Sequence, residues 1–122
     1  MTKQTAKAPG WRSAATRSRR SEAVEAIRAA SGAWVDLPGF NGSDILFLRR
    51  DAAIEIELVA TGDGRHTPRA RLDTRRVETY RDLYSRWMQE VRKDGGFGLN
   101  REGMAAAERA LNEFSEPRRV GR

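Results

Sequence analysis

Apolar residues along this chain change their spacing several times, and each change marks an element. Val24 and Ile27, set among alanines, follow Ser21, a good N-cap, with Glu22 and Glu25 in the first turns where a helix dipole favours acids. Gly32 supplies the left-handed stop. A helix from residue 21 to about residue 31 is predicted. Ala33-Trp34-Val35-Asp36-Leu37 alternates like a strand and is halted by Pro38-Gly39. Phe40-Asn41-Gly42-Ser43 reads as a turn, and the run Ile45-Leu46-Phe47-Leu48 as a buried strand. Arg49-Arg50-Asp51-Ala52 then makes a tight connection to a period-two strand over residues 53–59, closed by Thr61-Gly62-Asp63-Gly64. Residues 65–76 are polar and basic, without a period. Val77, Tyr80, Tyr84, Trp87, Met88 and Val91 stripe a long helix over residues 74–93. A glycine-rich break follows, then a last helix capped by Asn100, striped by Met104, Ala107, Leu111 and Phe114, and ended by Pro117. The expected fold is α+β: a small three-stranded antiparallel sheet with one N-terminal and two C-terminal helices.

Charge divides the same chain differently. Residues 1–20 hold Lys3, Lys7, Arg12, Arg17, Arg19 and Arg20 and no acid, while residues 117–122 add Arg118, Arg119 and Arg122. Removing those nine from 23 Lys+Arg leaves 14 basic residues against all 17 acids, so a formal +6 is a body of −3 between ends of +9. The organisation expected is a basic extended arm over 1–20, one α+β domain over 21–116 and a basic tail over 117–122. Acid-free arms of this kind grip polyanions, most often nucleic acid, otherwise an acidic membrane or an acidic protein surface. Trp11 within the arm can stack on a base or dock into a partner's groove, and can equally pin the arm to its own body.

The chain has no cysteine, which removes disulfides, thiolate nucleophiles and cysteine-based zinc sites. No apolar run approaches the ~20 residues of a membrane span, and no signal-peptide core follows the basic start. A cytoplasmic or virion-internal location is expected. Arginine outnumbers lysine twenty to three, which suits phosphate recognition and is equally the mark of a GC-rich genome.

If Arg50-Asp51 is the tip of a two-residue hairpin, Asp44 lies opposite Glu57, and Asp44, Glu55 and Glu57 share one sheet face. Three such carboxylates repel one another unless they are solvated, protonated, covered by arginines or bound to a hard cation. Glu55 and Glu57 alternating with Ile54, Ile56 and Leu58 is also what any strand with one wet face produces.

An Asp opening one strand, followed by Glu-x-charged in the next after an N-terminal helix, resembles the PD-(D/E)xK nuclease superfamily over roughly residues 21–92. That resemblance implies Asp44 and Glu55 as Mg²⁺ or Mn²⁺ ligands at a scissile phosphate, with Glu57 where the family carries its lysine. Glu22 or Glu25 would match the helix acid of many members. Ser43 precedes Asp44 where the family has Pro or a second acid. Loss of the lysine is also how such a fold becomes a binding module.

His66 is the only histidine and has no partner for zinc or acyl chemistry. Gly95-Gly96-Phe97-Gly98 follows a helix and so is no phosphate cradle. Arg65, Arg69, Arg71, Arg75 and Arg76 either extend a phosphate-binding face or neutralise the acidic strand. The favoured expectation is a non-catalytic component of a nucleic-acid-containing or protein assembly, such as a phage particle. It would need no cofactor and would use its arms on nucleic acid or neighbouring subunits, other copies of itself among them. The alternative is a metal-dependent nuclease or its non-catalytic relative.

Overall fold

The computed structural model describes the backbone of residues 9–96 and 99–121, and the side chains within them apart from those of residues 9–17 and Asp94. Among the described residues, four α-helices and a four-stranded mixed sheet make an α+β fold. In chain order they are α1 (Pro9–Ala29), β1 (Val35–Asp36), α2 (Gly42–Leu48), β2 (Ile54–Ala60), β3 (His66–Leu72), α3 (Arg75–Arg92), α4 (Arg101–Ser115) and β4 (Arg118–Val120). The sheet order is β1-β3-β2-β4. β3 runs antiparallel to both its neighbours, and β4 runs parallel to β2.

The first helix begins well before Ser21. Residues 9–20, expected as an extended arm, are helical, and Ser21 is interior to α1 rather than its cap. The other end behaves as read: Ser31 and Gly32 both take positive φ, 52° and 103°, and turn the chain out of the helix.

The largest departure lies at residues 45–48, which form a helix and not a strand. Asn41 accepts a hydrogen bond from the Asp44 backbone N–H at 2.9 Å, and the Asp44 carboxylate accepts one from the Asn41 N–H at 3.0 Å. This reciprocal capping box satisfies two amides that a helix start otherwise leaves orphaned. Ile45 and Leu48, three apart, then share the buried face, while Leu46 is 60% exposed. The hairpin partner of β2 is accordingly not this run but β3, with Ile54 opposite Leu72, Glu55 opposite Arg71 and Glu57 opposite Arg69.

The basic stretch that shows no period therefore holds a central strand. Pro68 does not break it, because its carbonyl accepts from the Leu37 N–H at 2.9 Å, on the β1 side. In a strand the nitrogen and carbonyl of one residue point the same way, so the missing N–H faces away from the β2 ladder. Ile54, Ile56, Ala70 and Leu72 line one sheet face, where Ala23 and Ile27 of α1 and Ile45 and Leu48 of α2 cover them. That cluster is the core.

Helices α3 and α4 fall within about one residue of their expected bounds and pack on each other, but no residue of either joins that core. The apolar sheet face is covered by α1 and α2 instead. Arg76 fastens the root of the hairpin, donating to the carbonyls of Ala52 and Phe114 at 3.1 Å each and lying 4.1 Å from the Phe114 ring centroid. Burial pulls the Arg76 pKa below its usual value, with Glu55 and Asp73 opposing. Its two carbonyl partners and the aromatic ring are what make the half-buried charge tolerable.

Candidate functional site

The carboxylates singled out by sequence are divided between two places. Asp44 stands in the first turn of α2, not on the sheet, and its side chain is inaccessible to solvent. Arg19 reaches its Oδ2 and Arg20 its Oδ1, each at 2.8 Å, while the Asn41 amide takes a further position on Oδ2. Burial pushes this carboxyl up, but the Asn41 amide, Arg20 and Arg19 together outweigh it and hold it below the ordinary 3.8. Arg19 and Arg20 also lie over the rings of Phe40 and Phe47, at 5.1 and 5.5 Å from their centroids. Two of the arm's arginines thus tie α1 to α2 instead of extending into solvent.

Glu55 and Glu57 do share the polar face of β2, as their two-residue spacing requires. Directly across the ladder, Arg71 Nε donates to Glu55 at 2.8 Å, and Arg69 gives Glu57 Oε1 two bonds, at 3.0 Å from Nε and 2.6 Å from Nη2. From β4, Arg118 binds the other oxygen of Glu57 and lies 3.9 Å from Glu55. Trp34, beside the start of β1, has the guanidiniums of both Arg69 and Arg71 at 4.5 Å from its ring. Glu57 is only 2% exposed, covered by the arginine stems that neutralise it. Of the situations that let like charges coexist, the one present is cover by arginine.

This donor set does not fit a divalent cation. Each of the three carboxylates is already engaged by at least one guanidinium, and Asp44 is grouped with different arginines from Glu55 and Glu57. The strand register that would have set Asp44 opposite Glu57 is not the register observed. No cluster of three potential metal-ligating side chains occurs among the described residues.

The expected binding residues scatter. Arg75 pairs with Asp73, Arg76 holds the hairpin, and Arg69, Arg71 and Arg118 belong to the lattice on β2. Arg65 and Arg119 are exposed. Lys3, Lys7 and Arg122 lie outside the described residues. The backbones of Trp11, Arg12 and Arg17 are in α1, but their side chains are likewise outside.

Two of the concave surfaces formed by the described residues are mostly apolar. A cleft of about 600 Å³ between Val24, Phe47, Leu48, Ile54 and Val77 has Arg50 and Asp51 at its mouth. Both of these are occupied, Arg50 over Phe47 and Asp51 by Arg28. A groove of about 360 Å³ along the α3–α4 hairpin is lined by Tyr80, Tyr84, Trp87 and Leu111, with Glu108 and Asn112 on its rim. Tyr80 and Tyr84 stack at 6.1 Å and are 38% and 45% exposed. Trp87 lies 5.7 Å from Tyr84, and its buried Nε1–H has no acceptor among the described residues. Sequence reading identified this stripe as one face of a long helix; the partners Trp34 and Asn41 it did not single out, although Asn41 stands three residues before Asp44 in a capping pattern. No described helix is long and apolar enough to cross a membrane. Compared with protein-family models, with curated proteins and with solved structures, the chain matches none.

Proposed function

We propose that this chain is a non-catalytic component of a nucleic-acid-containing assembly, held to the polyanion by the basic residues at its two ends. The observation that carries this reading is that arginines already occupy the acids best suited to chemistry. Asp44, Glu55 and Glu57 serve to staple α1 to α2 and β2 to β3 and β4. Positive charge remains in excess. Of the nine terminal charges, Arg19, Arg20 and Arg118 are engaged internally and Arg119 is exposed, while the side chains of Lys3, Lys7, Arg12, Arg17 and Arg122 lie outside those described. Arg65, Arg81, Arg86 and Arg92 are also exposed and have no carboxylate partner among the described residues. A phage particle is one setting in which such a protein would serve.

The test is the salt dependence of binding to a labelled duplex, followed by fluorescence anisotropy. Each phosphate contact contributes about −0.9 to the slope of log K against log[salt], so engagement of most of the other six terminal charges gives roughly −3 to −5. Replacing Lys3, Lys7, Arg12 and Arg17 together by glutamine should flatten that slope by about 3. An unchanged slope and affinity in that variant would overturn the role of the arm. Cleavage of the duplex on adding Mg²⁺ or Mn²⁺, lost in Glu55→Gln, would overturn the non-catalytic reading.

A further inference from the structure

We propose that the α3–α4 hairpin is a self-association surface, on which a second copy of this chain lays its own hairpin to complete a four-helix bundle. Among the 18 residues of α3 no side chain is fully buried. Yet Val77, Tyr80, Tyr84, Trp87 and Val91 recur at intervals of three and four, and Met104, Ala107, Leu111 and Phe114 answer on α4. That spacing on both partners is a coiled-coil seam, and two helices alone cover only one side of it. The uncovered side is the groove between Tyr80, Tyr84, Trp87 and Leu111.

Charge and size favour another copy over other occupants. Arg75 and Arg76 are held by Asp73 and by two carbonyls, and Glu90 is paired with Lys93, so α3 offers Arg81, Arg86 and Arg92 against Glu78 and Asp82, a net +1, while α4 carries two arginines against three glutamates, a net −1. A twofold axis across the groove sets each α3 against the α4 of the other copy, so unlike charges meet; this is the closed symmetry most dimers adopt. A nucleic-acid strand in the same groove would meet the Glu108 carboxylate on its rim. Helices of 18 and 15 residues are about 27 and 22 Å long, and side by side they present a face of roughly 500 Å². Two such faces bury about 1,000 Å², the lower bound for a specific interface. The association is therefore of modest affinity, and it is independent of polyanion binding.

Sedimentation velocity on the full chain, freed of nucleic acid, tests this over about 1 to 200 µM. The expected result is a concentration-dependent shift from 13.7 kDa to twice that mass. Tyr84→Glu changes an exposed position, so it should keep the far-ultraviolet helical signal while weakening association at least about tenfold. Should that variant lose its helical signal, the wild-type series still decides the matter together with Leu111→Gln. A single 13.7 kDa species at every concentration overturns the proposal. So does a folded Tyr84→Glu that associates as tightly as wild type. Because no nucleic acid is present, either outcome leaves the reading of the basic ends untouched.

Discussion

Asp44 concentrates the argument at the scale of single residues. It caps α2 with its carboxylate, accepts from two arginines of α1 and is shut off from water, so the junction of these two helices depends on its remaining ionised. Its folded-state pKa is depressed, which means that the unfolded chain binds the proton more readily. The stability this contributes is complete above the ordinary value of 3.8 and is lost as pH falls through the lower, folded-state value. Asp44→Asn should therefore be less stable than wild type at neutral pH by about 1–3 kcal/mol, and the gap should close as pH drops below that ordinary value. Urea unfolding at stepped pH measures this directly. A gap that persisted unchanged into acid would mean that shape and not charge is what Asp44 supplies. Glu57 differs in kind, because its two arginines come from strands that flank β2 on opposite sides, so its charge serves the sheet and not a helix start.

Elements differ in how plainly their residues announced them. α3 and α4 were legible within about a residue because a stripe sustained over four turns has no competing reading as a strand. The four-residue run at Ile45 was not, since so short an apolar stretch satisfies a strand and a helical turn equally. The deciding signal was polar: Asn41 followed three residues later by Asp44 is a capping pattern, and it outweighs the β preference of Ile45 and Phe47. Asn41→Ala should consequently cost about 1 kcal/mol, the usual value of a lost cap, in chemical denaturation. β3 was missed for the opposite reason. Its apolar positions are Pro68, Ala70 and Leu72, two of them weak as hydrophobic markers, and its arginines alternate with them only because Glu55 and Glu57 wait across the ladder. Pairing of that kind lies between segments and cannot be read from either segment alone. The candidate site shared this fate: the Glu55–Glu57 face was visible in the strand period, its arginine cover was one of several open alternatives, and the separation of Asp44 from it followed from the missed helix.

On the scale of the whole molecule, the mixed sheet is closed by residues far apart in sequence. β4 joins β2 over Glu57, Leu58 and Val59, and Arg118 supplies the second guanidinium to Glu57. Removing it leaves a nearly inaccessible carboxylate with Arg69 alone. Arg118→Ala should destabilise the fold by about 1–3 kcal/mol, less than a fully orphaned buried charge would cost. Hydrogen exchange should localise the loss to residues 57–59, with β2 amides nearer Ile54 far less affected; uniform exchange across the sheet would disprove that the strand depends on this ion pair. The same closure sets an order of events during synthesis. β2, β3 and the helical hairpin are local in sequence and can form while the chain is still leaving the ribosome, but the edge of β2 stays bare until residue 118 has emerged. During that interval Leu58 and Val59 offer an unpaired backbone to any neighbouring nascent chain. The vulnerable interval is thus the one between the emergence of β2 and that of residue 118, when a chaperone shielding one short strand edge would do the most to keep the chain from aggregating.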